Sequence, residues 1–142
     1  MKFRHVGLVV LDHEYSLEFW VGVMGFSVKS SCREKGPFID SLIGDYGIDV
    51  RTSKLSDQSE DVILELLTFE SQDLRHYWGG DYRTPGLTHI ALTVSDISAT
   101  IEKISNFFER PVASFAEEPS SGLRAKYVTG PEGVILELVQ PC

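Results

Sequence analysis

The chain has 142 residues and a mass of 15.9 kDa, with 42% apolar and 24% charged residues, which suits one globular domain and excludes whole-chain disorder, collagen-like repeats and fibres. Thirteen basic against 21 acidic residues leave a formal charge of −8, a field that repels phosphate backbones and anionic membrane surfaces, so no nucleic acid or membrane partner is expected. Cys32 and Cys142 show no CxxC spacing, and the apolar run from Val6 to Leu11 stops at Asp12, too short for a membrane span or signal peptide; the expectation is a soluble, cytoplasmic protein.

From His5 a valine-rich strand runs to Asp12, whose carboxylate can accept the first amide hydrogens of a helix. Leu17, Phe19, Trp20, Val23 and Met24 then recur at helical spacing until Gly25 stops them. Strands are predicted over 26–35, 48–55 and 62–69. Between the first two, Phe38, Ile39, Leu42 and Ile43, bounded by Gly36-Pro37 and Gly44, predict a short amphipathic helix, read either as a lid over a cavity or as a satellite packing turn. The link that follows carries Tyr77, Trp78, Gly79, Gly80, Tyr82 and Pro85, too aromatic for a flexible linker, and is expected to glue the halves together rather than line a pocket.

The pattern then restarts. A strand from His89 ends at Asp96, and Ile97, Ile101, Ile104, Phe107 and Phe108 mark a helix that Pro111 terminates. Strands are predicted over 112–116, 124–129 and 134–140, the last two joined by the turn Gly130-Pro131-Glu132-Gly133, a chemistry missing from the matching segment 56–61. Arg124 and Lys126 are the nearest cations for an anionic substrate, although two solvated charges on an outward strand face are the more economical reading.

The sequence repeats itself in the same places. Val-Ile-Leu-Glu-Leu occurs at 62–66 and again at 134–138, and His-Val-Gly-Leu-Val-Val-Leu-Asp at 5–12 is echoed by His-Ile-Ala-Leu-Thr-Val-Ser-Asp at 89–96. The predicted architecture is α+β, a single domain over 1–142 built of two βαβββ modules, 1–70 and 86–142, joined by linker 71–85. Each module begins with a histidine and ends with a glutamate.

A lone strand histidine is most often a core or edge residue, and His13 and His76 are read that way. The glutamates are different, because Glu65 and Glu137 interrupt apolar runs where an uncompensated carboxylate costs several kcal/mol. Strand alternation sets Glu65 with Ile63 and Leu67, and Glu137 with Ile135 and Val139. If the modules pack with approximate twofold symmetry, His5, Glu65, His89 and Glu137 converge as two imidazoles and two carboxylates, a donor set suited to Ni, Co, Mn, Fe or Zn that leaves positions open for water or substrate.

This pattern resembles the vicinal oxygen chelate superfamily, which includes glyoxalase I, methylmalonyl-CoA epimerase, extradiol dioxygenases and the fosfomycin- and bleomycin-resistance proteins. The resemblance spans nearly the whole chain and rests on the paired modules, the His5 strand, the segment Gly86-Leu87-Thr88-His89-Ile90-Ala91-Leu92 and the Pro131-Glu132-Gly133 turn leading to Glu137. It implies a cupped mixed sheet around one divalent metal held by His5, Glu65, His89 and Glu137, paired within a chain or across a homodimer. The full His, Glu, His, Glu set is most similar to glyoxalase I. It further implies removal of a proton next to a carbonyl of a small-molecule substrate, with Glu137 as base, Glu65 as its partner and the enolate or enediolate held on the metal. A small-molecule binding or resistance protein and a metal-dependent dioxygenase are the alternatives. The resemblance departs at Val9 and Phe69, where bacterial glyoxalase I typically carries an arginine and an asparagine that contact glutathione, which implies a less polar or differently anchored substrate.

Overall fold

Alternation of large apolar side chains with Gly7 makes Val6–Val9 a strand, β1, and Asp12 ends it as a helix cap, its carboxylate accepting the Tyr15 amide at 2.9 Å. The computed structural model describes residues 1–59, 61–70, 83 and 85–142. After the cap, α1 (His13–Leu17) continues as a π-helical turn over Glu18–Val23, in which the Met24 amide reaches back five residues to the Phe19 carbonyl. That widened turn accompanies the burial of both Phe19 and Trp20, adjacent residues that a regular 3.6-residue pitch would aim about 100° apart. Phe26 closes the cluster edge-on to Trp20 at 5.2 Å.

Three more strands follow, β2 (Ser27–Lys35), β3 (Asp49–Ser56) and β4 (Val62–Phe69), with the predicted short helix α2 (Pro37–Ile43) between the first two. Gly44 ends α2 in the left-handed region at φ 80°, a conformation that favours glycine. The sheet order is β1-β4-β3-β2, with β1 parallel to β4 and the other pairs antiparallel.

The second half repeats this order. Strand β5 (Ile90–Thr93) ends near Asp96, which caps α3 (Ile97–Phe107) through the Ala99 amide at 2.9 Å. Strands β6 (Ala116–Glu117), β7 (Arg124–Thr129) and β8 (Ile135–Gln140) complete a sheet of order β5-β8-β7-β6, again with one parallel pair, β5 with β8. The fold class is α+β, as the repeat predicts. The strand expected over 112–116 shrinks to Ala116–Glu117, where only two residues pair with β7. The predicted turn at 130–133 is a single 3₁₀ turn, with Glu132 and Gly133 both at positive φ.

The chain divides into two compact units, residues 1–76 and 77–142. In each unit one sheet face packs on the helix and carries the core: Leu55, Leu64 and Leu66 in the first, Leu136 and Leu138 against Ile97, Ile101 and Ile104 in the second. Full burial of such a side chain contributes roughly 1.5–3 kcal/mol. Ile97, Ile101 and Ile104 are spaced by four and three residues, the stripe that lets α3 lie on the sheet. The opposite face carries the pairs shared by the two repeats, His5 with Glu65 and His89 with Glu137. On that face of the first unit, Ile39 of α2 packs with Ile48, Val50, Leu67 and Phe69, so α2 is a satellite packing element. His76, Tyr77, Trp78, Gly79, Gly80 and Tyr82 lie outside the described residues. Among the described residues no helix is long and apolar enough to cross a membrane.

His13 is a core histidine, as expected. Its Nδ1 shares a 2.8 Å hydrogen bond with the Thr68 hydroxyl and its Nε2 a 2.7 Å bond with the Ser53 hydroxyl, which in turn meets Ser31. Burial, reinforced by the Arg51 cation, lowers its pKa below the ordinary 6.5. The unfolded chain therefore binds more protons than the folded one once pH falls below 6.5, and stability contributed by neutral His13 is complete above that value and lost as pH drops toward the folded pKa. Urea unfolding between about pH 7.5 and pH 5 is expected to show a decline that His13→Gln flattens. An identical pH slope in both proteins would contradict this assignment.

Candidate functional site

The parallel ladder of each sheet sets the site. In the first unit Gly7 is directly opposite Glu65, and His5 stands two residues before Gly7, on the same face. In the second unit Ala91 is opposite Glu137, and His89 stands two residues before Ala91. A small residue across from each glutamate leaves the space above the sheet to the imidazole and carboxylate. At Gly7 that space is tight, since a Cβ would lie 3.2 Å from the Leu67 side chain.

The two pairs have the same geometry. His5 Nε2 lies 3.2 Å from Glu65 Oε2, and His89 Nε2 lies 3.2 Å from Glu137 Oε2. Some other ion pairs among the described residues are shorter, including Arg33 to Asp49 at 2.6 Å, Lys35 to Asp49 at 2.7 Å and Arg124 to Glu117 at 2.8 Å. Two ligands at ~2.1 Å from one ion and at right angles to each other stand about 3.0 Å apart, so the spacing of each histidine and glutamate fits adjacent positions on a divalent ion. No group of three or more His, Cys, Asp or Glu side chains placed for a metal occurs among the described residues; each unit offers a pair.

The surroundings of the pairs differ. His89 has its second ring nitrogen, Nδ1, within 2.9 Å of the Thr88 hydroxyl, an interaction that orients the ring. The Tyr127 ring stands edge-on to His89 at 5.2 Å, and Tyr127 is the residue opposite Glu137 in the β7–β8 ladder. In the first unit Nδ1 of His5 is buried with no hydrogen-bond partner among the described residues, and the residue opposite Glu65 in the β3–β4 ladder is Lys54, whose Nζ lies 3.7 Å from Glu65 Oε1. Glu65 is the more enclosed carboxylate, with a side chain 14% exposed against 26% for Glu137.

Tyr127 and Lys54 carry no sequence motif, and their only signal is ladder register, which becomes readable once the strands are paired; Thr88 precedes His89 directly in the sequence. Arg124 and Lys126 alternate onto the face opposite Glu137, and Arg124 is occupied by Glu117 and the Phe115 ring, so neither belongs to the Glu137 face. Val9 and Phe69 do lie on the face of Glu65; Val9 pairs with Leu67 and is half-exposed, while Phe69 packs against the cluster that includes Ile39.

Residues 4–120 match the family model described as the glyoxalase/bleomycin resistance protein/dioxygenase superfamily. A curated relative, a probable lactoylglutathione lyase of Synechocystis sp., is 27% identical over 143 residues, spanning 99% of this chain and 95% of the relative. Among solved structures, a glyoxalase family protein from Bacillus cereus superposes with a TM-score of 0.84 at 17% identity, covering 99% of this chain and 94% of that one. The trypanothione-dependent glyoxalase I of Leishmania major gives 0.62 at 18% identity over 99% and 86% of the two chains. The fosfomycin resistance protein FosX of Listeria monocytogenes gives 0.59 at 14% identity over 100% and 94%. At these identities the solved structures establish the shared fold.

Proposed function

The chain belongs to the glyoxalase/bleomycin resistance protein/dioxygenase superfamily, and from that premise we propose that it is a metal-dependent lyase or isomerase of the glyoxalase type, removing a proton beside a carbonyl of a small molecule. The observation that carries this reading is the duplicated pair, His5 with Glu65 and His89 with Glu137, at one common spacing of 3.2 Å. A protein that only sequesters a ligand has no need for two matched imidazole–carboxylate pairs, each half-buried beside apolar strands.

His5, Glu65, His89 and Glu137 would hold the ion, the two pairs meeting within one chain or across a homodimer. A divalent ion there supplies Lewis acidity, lowering the cost of negative charge on the substrate's carbonyl oxygen. The remaining chemistry is the protein's own. Glu137, the more exposed carboxylate, takes the proton from the carbon next to the carbonyl; Glu65, shared with Lys54, is its reprotonating partner. Thr88 keeps the His89 ring oriented, and the Tyr127 ring gives the second half-site an apolar edge. Val9 and Phe69 place hydrocarbon on the Glu65 face, which supports a substrate other than a glutathione conjugate.

Deuterium exchange tests the chemistry. With candidate α-hydroxy-ketones, hemithioacetals and acyl-CoA thioesters in D₂O, metal-loaded protein is expected to exchange the proton beside the carbonyl, and Glu137→Gln to lower the rate by about 10²–10⁴-fold. Exchange that survives in Glu137→Gln transfers the role to another group. Metal uptake tests the centre independently: Thr88→Val, which removes the partner of His89 Nδ1, is expected to weaken binding of the ion by about 10-fold, and an unchanged affinity would separate Thr88 from the centre.

A further inference from the structure

The repeat keeps the histidine, the small residue and the glutamate in both units but changes the residue on the other flank of the glutamate. Lys54 faces Glu65 where Tyr127 faces Glu137. Lys54 also borders a cavity of about 550 Å³ in the first unit, within the size range of small-molecule sites. Its lining includes His5, Lys54, Lys2 and Arg4, with Asp61 as the single carboxylate among the described residues. In a chain of net charge −8, three cations gathered beside one candidate metal ligand are against the overall trend.

We propose that this cavity is an anion subsite in which Lys54 determines specificity, so that the substrate carries a carboxylate or phosphate group near its reactive carbonyl. The inference rests on the metal-dependent reading above. As the chain stands, the Lys54 ammonium is answered by Glu65 at 3.7 Å. A divalent ion bound by Glu65 draws on that same carboxylate charge. Lys54 is only a third exposed, and it then needs another anion to offset the cost of a partly desolvated cation. Arg4 and Lys2 extend the positive wall, and a guanidinium offers the planar donor fork that fits carboxylate or phosphate oxygens. Both sources of negative charge satisfy this chemistry. Tyr127 in the equivalent position of the second unit offers no such charge, so the substrate's anionic end belongs beside the first half-site.

Paired probes distinguish the claim from a structural role for Lys54. Dihydroxyacetone phosphate and dihydroxyacetone share a head group and differ by a phosphate; 4-oxopentanoate and 2-pentanone share a methyl ketone and differ by a carboxylate. Calorimetric titration of manganese-loaded protein is expected to show at least a tenfold preference for the anionic member of one pair, which identifies phosphate or carboxylate as the source. Lys54→Gln is expected to abolish that preference and Lys54→Arg to retain most of it. Equal affinities within both pairs, or a preference that Lys54→Gln keeps, overturns the proposal. A separate titration with manganese alone distinguishes the two readings: absence of manganese uptake overturns the metal centre and the subsite with it, whereas uptake without an anion preference overturns the subsite alone.

Discussion

A carboxylate in the middle of an apolar strand is the constraint around which each half of this protein is arranged. Glu65 and Glu137 sit at the centres of β4 and β8, flanked on both sides in sequence by leucines that fill the core beneath the sheet. Neither carboxylate can be left without compensation in such a setting. The parallel neighbour supplies it: β1 and β5 start immediately after a histidine, and their register places a residue without a bulky side chain next to the glutamate. The histidine reaches the carboxylate over that small residue. Moving either strand by one position would turn its histidine to the opposite face, so the pairing of imidazole with carboxylate is a property of register.

Symmetry and its loss then divide the labour. What the repeat preserves is the donor pair, with the same 3.2 Å separation in both units. What it leaves free is the flank, cationic at Lys54 and aromatic at Tyr127, and the support behind the imidazole, which is the Thr88 hydroxyl for His89 and nothing among the described residues for His5. The internal repeat of the sequence accounts for the equal spacing, and the proposed anionic substrate would account for the unequal flanks.

Much of this was legible before any coordinates. Asp12 and Asp96 announce their helices because a short carboxylate before an apolar-periodic segment can accept orphan amides, and both do. The faces of Glu65 and Glu137 follow from alternation with period two. The missed features are those set by packing between segments. The π turn at Glu18–Val23 follows from the joint burial of Phe19 and Trp20, which local propensity does not encode. The stretch 112–116 has strand composition, yet only Ala116 and Glu117 find partners in β7. Lys54 and Tyr127 look like ordinary strand residues until the antiparallel ladders bring them across from the glutamates. Arg124 and Lys126, the cations that sequence proximity suggested, are one register position away from the useful face.

The central claim is that the two histidine–glutamate pairs serve a single ion. Cobalt K-edge X-ray absorption of cobalt-loaded protein reads the ligands directly. The account predicts about one cobalt per chain with two imidazoles in its shell, falling to one imidazole in both His5→Ala and His89→Ala. A shell with no imidazole scattering, or one that either substitution leaves unchanged, would contradict it.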